Sequence, residues 1–147
     1  MKVSILCAGK LKEQYLKDAM AEYSKRLSRY CKFSVLEVTD GPDMEAEAER
    51  LLKNIPSDAE LFSLEIEGKG CSSPEFAGYF EECMNAGKSH ICFLIGGSEG
   101  LSERVRAEAS RHISFSALTF PHQLMRVILA EQIYRAFKII AKEPYHK

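Results

Sequence analysis

The chain has 147 residues, 46% of them hydrophobic and 28% charged, with a formal net charge of −1. That length predicts one domain, residues 1–147, able to bury about two thirds of its unfolded-chain surface. No run approaches the roughly 18 uninterrupted apolar residues of a membrane span, and the five scattered cysteines contain no Cys-x-x-Cys pair, which disfavours a zinc site or a disulfide framework.

Residues 2–8 predict a first strand, with no small-residue cleavage pattern behind it to suggest a signal peptide. Residues 13–30 predict a helix with Tyr15, Leu16, Ala19, Met20, Tyr23 and Leu27 on one side. A second strand follows over 33–38, then an acid-rich helix over 43–54 that stops before Pro56. A third strand, 61–66, is closed by Gly68. Ser72 and Glu75 have capping-box spacing with Pro74 between them, which predicts a helix to about Asn85 with Gly87 as its stop. Residues 90–95 are apolar almost throughout, as expected of a central parallel strand covered on both faces. A short helix over 102–110 and a short strand over 113–115 precede a final helix after Pro121. Strand and helix alternating five times predict an α/β domain whose mainly parallel sheet is flanked by helices.

The cysteines then read as reduced, mostly buried thiols of a cytoplasmic protein. Charge is unevenly spread: residues 1–36 sum to +5, 37–67 to −8, 68–120 to −1 and 121–147 to +3. If the two basic ends meet in space, a nearly neutral protein presents a positive face to phosphate backbones.

Ligands of open α/β sheets bind beyond the carboxyl ends of the strands. Three such ends stand out: 64–68, the Ile95-Gly96-Gly97-Ser98-Glu99-Gly100 turn, and 116–120. Neither a dinucleotide fingerprint nor a phosphate-binding P-loop is present. The 114–120 stretch offers mainly backbone hydrogen-bonding groups and small or aliphatic side chains, which suits either an adenine or an ordinary strand-to-helix approach. In the last helix Met125, Leu129, Ile133, Ala136, Phe137 and Ile140 form an apolar arc, and Arg126 falls in its middle. A guanidinium there needs partners unless it snorkels out of the first turn. The width of the arc suggests a homodimer seam, across which Tyr145-His146-Lys147 would reach a neighbour's pocket.

At these residues the sequence resembles the RlmH family, small SPOUT-class methyltransferases acting on pseudouridine in large-subunit ribosomal RNA. The resemblance rests on Phe93 to Ser102, on Phe115 to His122, on Arg126, Leu129, Glu131, Tyr134, Arg135 and Ala136, and on Pro144-Tyr145-His146-Lys147. It implies a trefoil-knotted homodimer, S-adenosylmethionine as methyl donor, and transfer to N3 of a pseudouridine in helix 69 of 23S ribosomal RNA within the assembled 70S ribosome. Cofactor positions carry over to Leu64, Gly96 and the run Phe115, Ser116, Ala117, Leu118, Thr119 and Phe120. His146, helped by Tyr145, is expected to position or deprotonate the acceptor base. His122, Arg126, Arg135 and Lys147 are expected to hold RNA phosphate or the uracil carbonyls. No membrane or metal partner is implied. Glu65 stands where many relatives have aspartate, Phe115 and Phe120 where leucine is common, and Lys147 where arginine often sits. The alternatives are a catalytically silent ribosome- or RNA-binding module of the same fold, and a hydrolase using His122 or His146. The latter lacks a Gly-x-Ser-x-Gly elbow.

Overall fold

A computed structural model describes residues 1–147. The elements are β1 (Lys2–Ala8), α1 (Gln14–Leu27), β2 (Lys32–Val38), α2 (Met44–Lys53), β3 (Glu60–Gly70), α3 (Ser73–Asn85), β4 (His90–Ile95), α4 (Glu103–Arg106), β5 (Arg111–Ser114) and α5 (His122–Ile140). The five strands form one sheet in the order β2-β1-β4-β3-β5, and every pairing is parallel. β1 and β4 are central and buried on both faces, which is why their sequences are apolar without alternation. No helix is long and apolar enough to cross a membrane.

The strands bury alternate residues in two layers. Val3, Ile5, Phe93, Phe62 and Ile113 face Leu27 of α1, Phe76 and Phe80 of α3, and Leu129, Ile133 and Phe137 of α5. Leu6, Ala8, Leu61, Cys92 and Leu94 face Leu51 of α2 and Val105 of α4 on the other side. α1 and α5 pack together through Leu16, Met20, Val127 and Ala130. The two basic ends of the chain therefore do meet, while the acid-rich α2 covers the opposite face. At the amino ends of the strands, buried Ser4 bonds His90 Nε2 at 2.7 Å and Asp58 bonds His90 Nδ1 at 2.9 Å, which satisfies an imidazole that burial would otherwise leave unpaired.

Boundaries moved where local hydrogen bonding outcompeted periodicity. α1 ends at Leu27 rather than at residue 30, because the Ser28 hydroxyl donates to the Lys25 carbonyl at 2.6 Å and the Lys32 amide is drawn to the Met1 carbonyl. The helix expected over 102–110 is a single turn, Glu103–Arg106. After it the Glu108 and Ala109 amides bond three residues back, and the Ser110 amide and hydroxyl both donate to the Leu61 carbonyl. β5 starts at Arg111 and stops before Phe115, whose ring packs edge-on against Phe76 with centroids 5.4 Å apart. β3 does not close at Gly68. Its pairing to β5 jumps from Leu64 to Lys69, both opposite Ile113, so residues 65–68 are looped out as a bulge and the strand resumes to Gly70.

Candidate active site

The carboxyl ends of β3, β4 and β5 surround a cleft of about 740 Å³. Leu64, Gly96, Phe115, Ser116, Leu118, Thr119 and Phe120 all line it, and Ala117 alone of the expected cofactor run does not. Gly96 is required by crowding: a Cβ there would collide with the Gly100 carbonyl carbon and the Leu101 amide. The Gly97 amide donates to Glu47 Oε1 at 3.2 Å, which ties the glycine turn to α2. On the far wall the Ser114 hydroxyl donates to the Ser116 carbonyl at 3.0 Å, and the Ser116 hydroxyl accepts from the Leu118 amide at 2.9 Å. These bonds set the 114–118 backbone and leave the Leu118 side chain 69% exposed over the cleft. An exposed leucine beside a glycine cradle and a wall of backbone polar groups fits a flat heteroaromatic ring with edge hydrogen bonds.

Sequence reasoning missed the polar floor. The bulge turns Glu65 inward, where Arg106 Nη2 lies 2.8 Å from Oε1 and the Ser63 hydroxyl donates to Oε2 at 2.7 Å. His112 Nδ1 lies 3.2 Å from the same oxygen. Burial pushes the Glu65 carboxyl up, but hydrogen bonds from Ser63, Arg106 and His112 outweigh it and hold the acid below its ordinary range. Its position at a strand end was the available signal. The looping-out that aims it was not visible.

His122, first residue of α5, lines the cleft; burial and then the Arg126 charge lower its proton affinity, so it stands there as a neutral ring. Arg126 does not snorkel: both terminal nitrogens find partners inside, and only its buried Nε is left without one. Its side chain is 0% exposed, with Nη1 3.0 Å from Glu37 Oε2 and Nη2 donating to the Ala8 carbonyl at 2.5 Å. The expectation that Arg126 holds RNA phosphate is corrected by that burial: the guanidinium is a strut joining α5 to the ends of β1 and β2.

Arg135, Tyr145, His146 and Lys147 are absent from the cleft wall. α5 is 19 residues long, so its ends lie about 27 Å apart, and the tail sits at the end remote from the cleft. Tyr145 packs edge-on against Tyr134 at 4.9 Å and beneath the Arg135 guanidinium at 4.7 Å. Burial, with Glu131 nearby, raises the Tyr145 phenol further above its usual value and keeps it protonated.

A family model described as predicted SPOUT methyltransferase matches residues 1–146. The chain belongs to the SPOUT methyltransferase family. Proteins named ribosomal RNA large subunit methyltransferase H from Clostridium botulinum (strain Langeland) and Bacillus pumilus are each 48% identical to it over 159 aligned positions, covering 100% of both chains. At that identity the family membership extends to RlmH. A probable methylase family protein from Haemophilus influenzae Rd KW20 superimposes with a TM-score of 0.59 at 14% identity, over 99% of this chain and 70% of that one, and shows the shared fold alone. Enzymes of the SPOUT class use S-adenosylmethionine, and the cleft residues of this RlmH chain fit that group.

Proposed function

We propose that this chain methylates N3 of a pseudouridine in helix 69 of 23S ribosomal RNA on the assembled ribosome. It works in the cytoplasm as a homodimer of single-domain chains, each with the trefoil knot of its class. Leu64, Gly96 and the backbone from Phe115 to Phe120 would hold S-adenosylmethionine. When bound, that cofactor supplies an electrophilic methyl group on a sulfonium sulfur. The chain's own residues must then orient the acceptor base at near-attack distance.

One observation carries the dimer: the cleft and the polar tail occupy opposite ends of α5, beyond the reach of one chain. Charge points the same way. The cleft wall holds Glu65, Glu67 and Glu99 against Arg106 as its single Lys or Arg, so alone it repels an RNA backbone. A second copy docked along α1 and α5 brings Tyr145, His146 and Lys147, with Arg135 behind them, to the mouth of its partner's cleft. His122 then faces the acceptor from the cleft's own side, while His146 and Tyr145 position or deprotonate it.

A chain truncated after Glu143 tests this. Calorimetry is expected to give wild-type affinity for S-adenosylmethionine, and mass spectrometry of treated 70S ribosomes at least a hundredfold slower methylation. Methylation at the normal rate by the truncated chain defeats the shared site.

A further inference from the structure

The tail is held, not loose. After α5, Lys142 takes a positive φ of 56°, the Lys142 amide bonds the Ile139 carbonyl, and the Glu143 amide bonds the Lys138 carbonyl. This helix-ending reversal turns Pro144-Tyr145-His146 back along α5. Glu143 pins the turn, accepting from the Tyr30 hydroxyl at 2.9 Å and from Lys138 Nζ at 3.1 Å. One turn up the helix, Glu131 Oε1 accepts from Arg135 at 2.7 Å, with both Nε and Nη2 within that distance. The guanidinium plane is thereby set, with the Tyr145 ring against it. Arg135 Nη1 then lies 3.2 Å from His146 Nδ1.

A guanidinium has five N–H donors and no acceptor. Nδ1 of His146 must therefore be the accepting nitrogen, and in the neutral ring the proton sits on Nε2. We propose that His146 acts through Nε2–H as a hydrogen-bond donor to the acceptor base, held in that tautomer by the Glu131–Arg135 pair, and is not the group that removes the N3 proton. The proposal rests on the reading that the tail enters the partner's cleft. It makes Glu131 and Arg135 positioning residues for His146.

The chemistry closes without His146 as the base. N3 of the pseudouracil ring lies between two carbonyls. When the N3–H bond breaks, the proton passes to solvent water. The electron pair stays on N3, shared with the flanking carbonyl oxygens, and a donor aimed at one of those oxygens stabilises that charge. Within the tail's own chain the neighbouring groups are already committed. Glu131 is bound to Arg135, Glu22 accepts from Arg26 at 2.8 Å, Arg26 lies over the Tyr23 and Tyr134 rings, and Tyr145 is held protonated.

The test uses the full-length chain with nitrogen-15 histidine. Ring-nitrogen NMR is expected to show His146 as the Nε2–H tautomer. In Glu131→Gln and Arg135→Ala that preference should relax toward a mixture, while Arg135→Lys, which still donates, should retain part of it. Single-turnover methylation of 70S ribosomes supplies a second readout. The amide nitrogen of His146→Gln falls near Nε2, so that variant is expected within about tenfold of wild type, whereas His146→Asn and His146→Ala lose about a hundredfold or more. An Nδ1–H tautomer, or a glutamine variant as slow as alanine, overturns the proposal. Equal rates for all three variants would overturn it and the tail's role together. The NMR result, read without turnover, separates the tautomer from that wider failure.

Discussion

The buried pair of Arg126 and Glu37 gives an asymmetric prediction. Arg126 has no exposure, while the Glu37 side chain retains 31% and also accepts from the Leu11 amide at 3.1 Å. Replacing Glu37 with leucine strands a guanidinium in the interior with one carbonyl partner. Breaking a buried pair this way costs about 3–5 kcal/mol, and partial access of water at Glu37 favours the lower end. Replacing Arg126 with methionine instead removes the buried charge and keeps most of its volume. It leaves the Ala8 carbonyl without a donor, about 1–3 kcal/mol, offset by relief of the desolvation cost of the charge. The expected losses are about 3 kcal/mol for Glu37→Leu and about 1–2 kcal/mol for Arg126→Met. Urea unfolding followed by circular dichroism, at one fixed protein concentration because dimerisation adds to apparent stability, measures both. At this chain length the larger loss corresponds to a melting point lower by about 10 °C. The double variant should be no less stable than Glu37→Leu alone, since removing the stranded charge removes its penalty. If Arg126→Met proves the more damaging single change, the guanidinium stabilises through packing and the strut argument is wrong.

Two further outcomes follow from the cleft. Gly96→Ala drives a Cβ into the Gly100 backbone, so the turn must shift; calorimetry should show at least tenfold weaker binding of S-adenosylmethionine, and unchanged affinity would mean the turn is not a cofactor contact. Glu65 has a folded proton affinity below its unfolded one, so it adds stability above the ordinary glutamate range near pH 4.3 and loses it as pH falls through the lower folded value. Glu65→Gln should therefore be less stable than wild type at pH 7, with the gap narrowing on acidification, and parallel stability curves from pH 7 to 3 would contradict this.

What the sequence disclosed was whatever its local pattern controls. The unbroken apolar run of β4, the Ser72–Glu75 box that caps α3, and the stop at Gly87 with its φ of 76° all depend on residues a few positions apart. The helical wheel located Arg126 as a charge in need of a partner, but Glu37 lies 89 residues away and only the sheet brings the two together. Of the run that the family resemblance assigns to the cofactor, all but Ala117 line the cleft, a placement that periodicity alone does not express. The tail drew attention by composition. Its direction was illegible, because a reversal at a non-glycine residue such as Lys142 leaves no signature in the chain.

The polar floor of the cleft depends on a single close approach in the same way. A Cβ at position 68 would sit 2.6 Å from the Ile113 carbonyl carbon, so any other residue would force β3 and β5 apart at that point. With glycine the strands stay in contact on both sides of residues 65–68, and those four residues drop out of the pairing. That displacement puts Glu65 beside Arg106 and His112, and sets Ile66 and Glu67 along the cleft. Gly68 first reads as the end of a strand. It is instead the residue that lets the strand continue while discarding a loop into the site, and period-two alternation cannot express such an insertion because it shifts the register without changing composition.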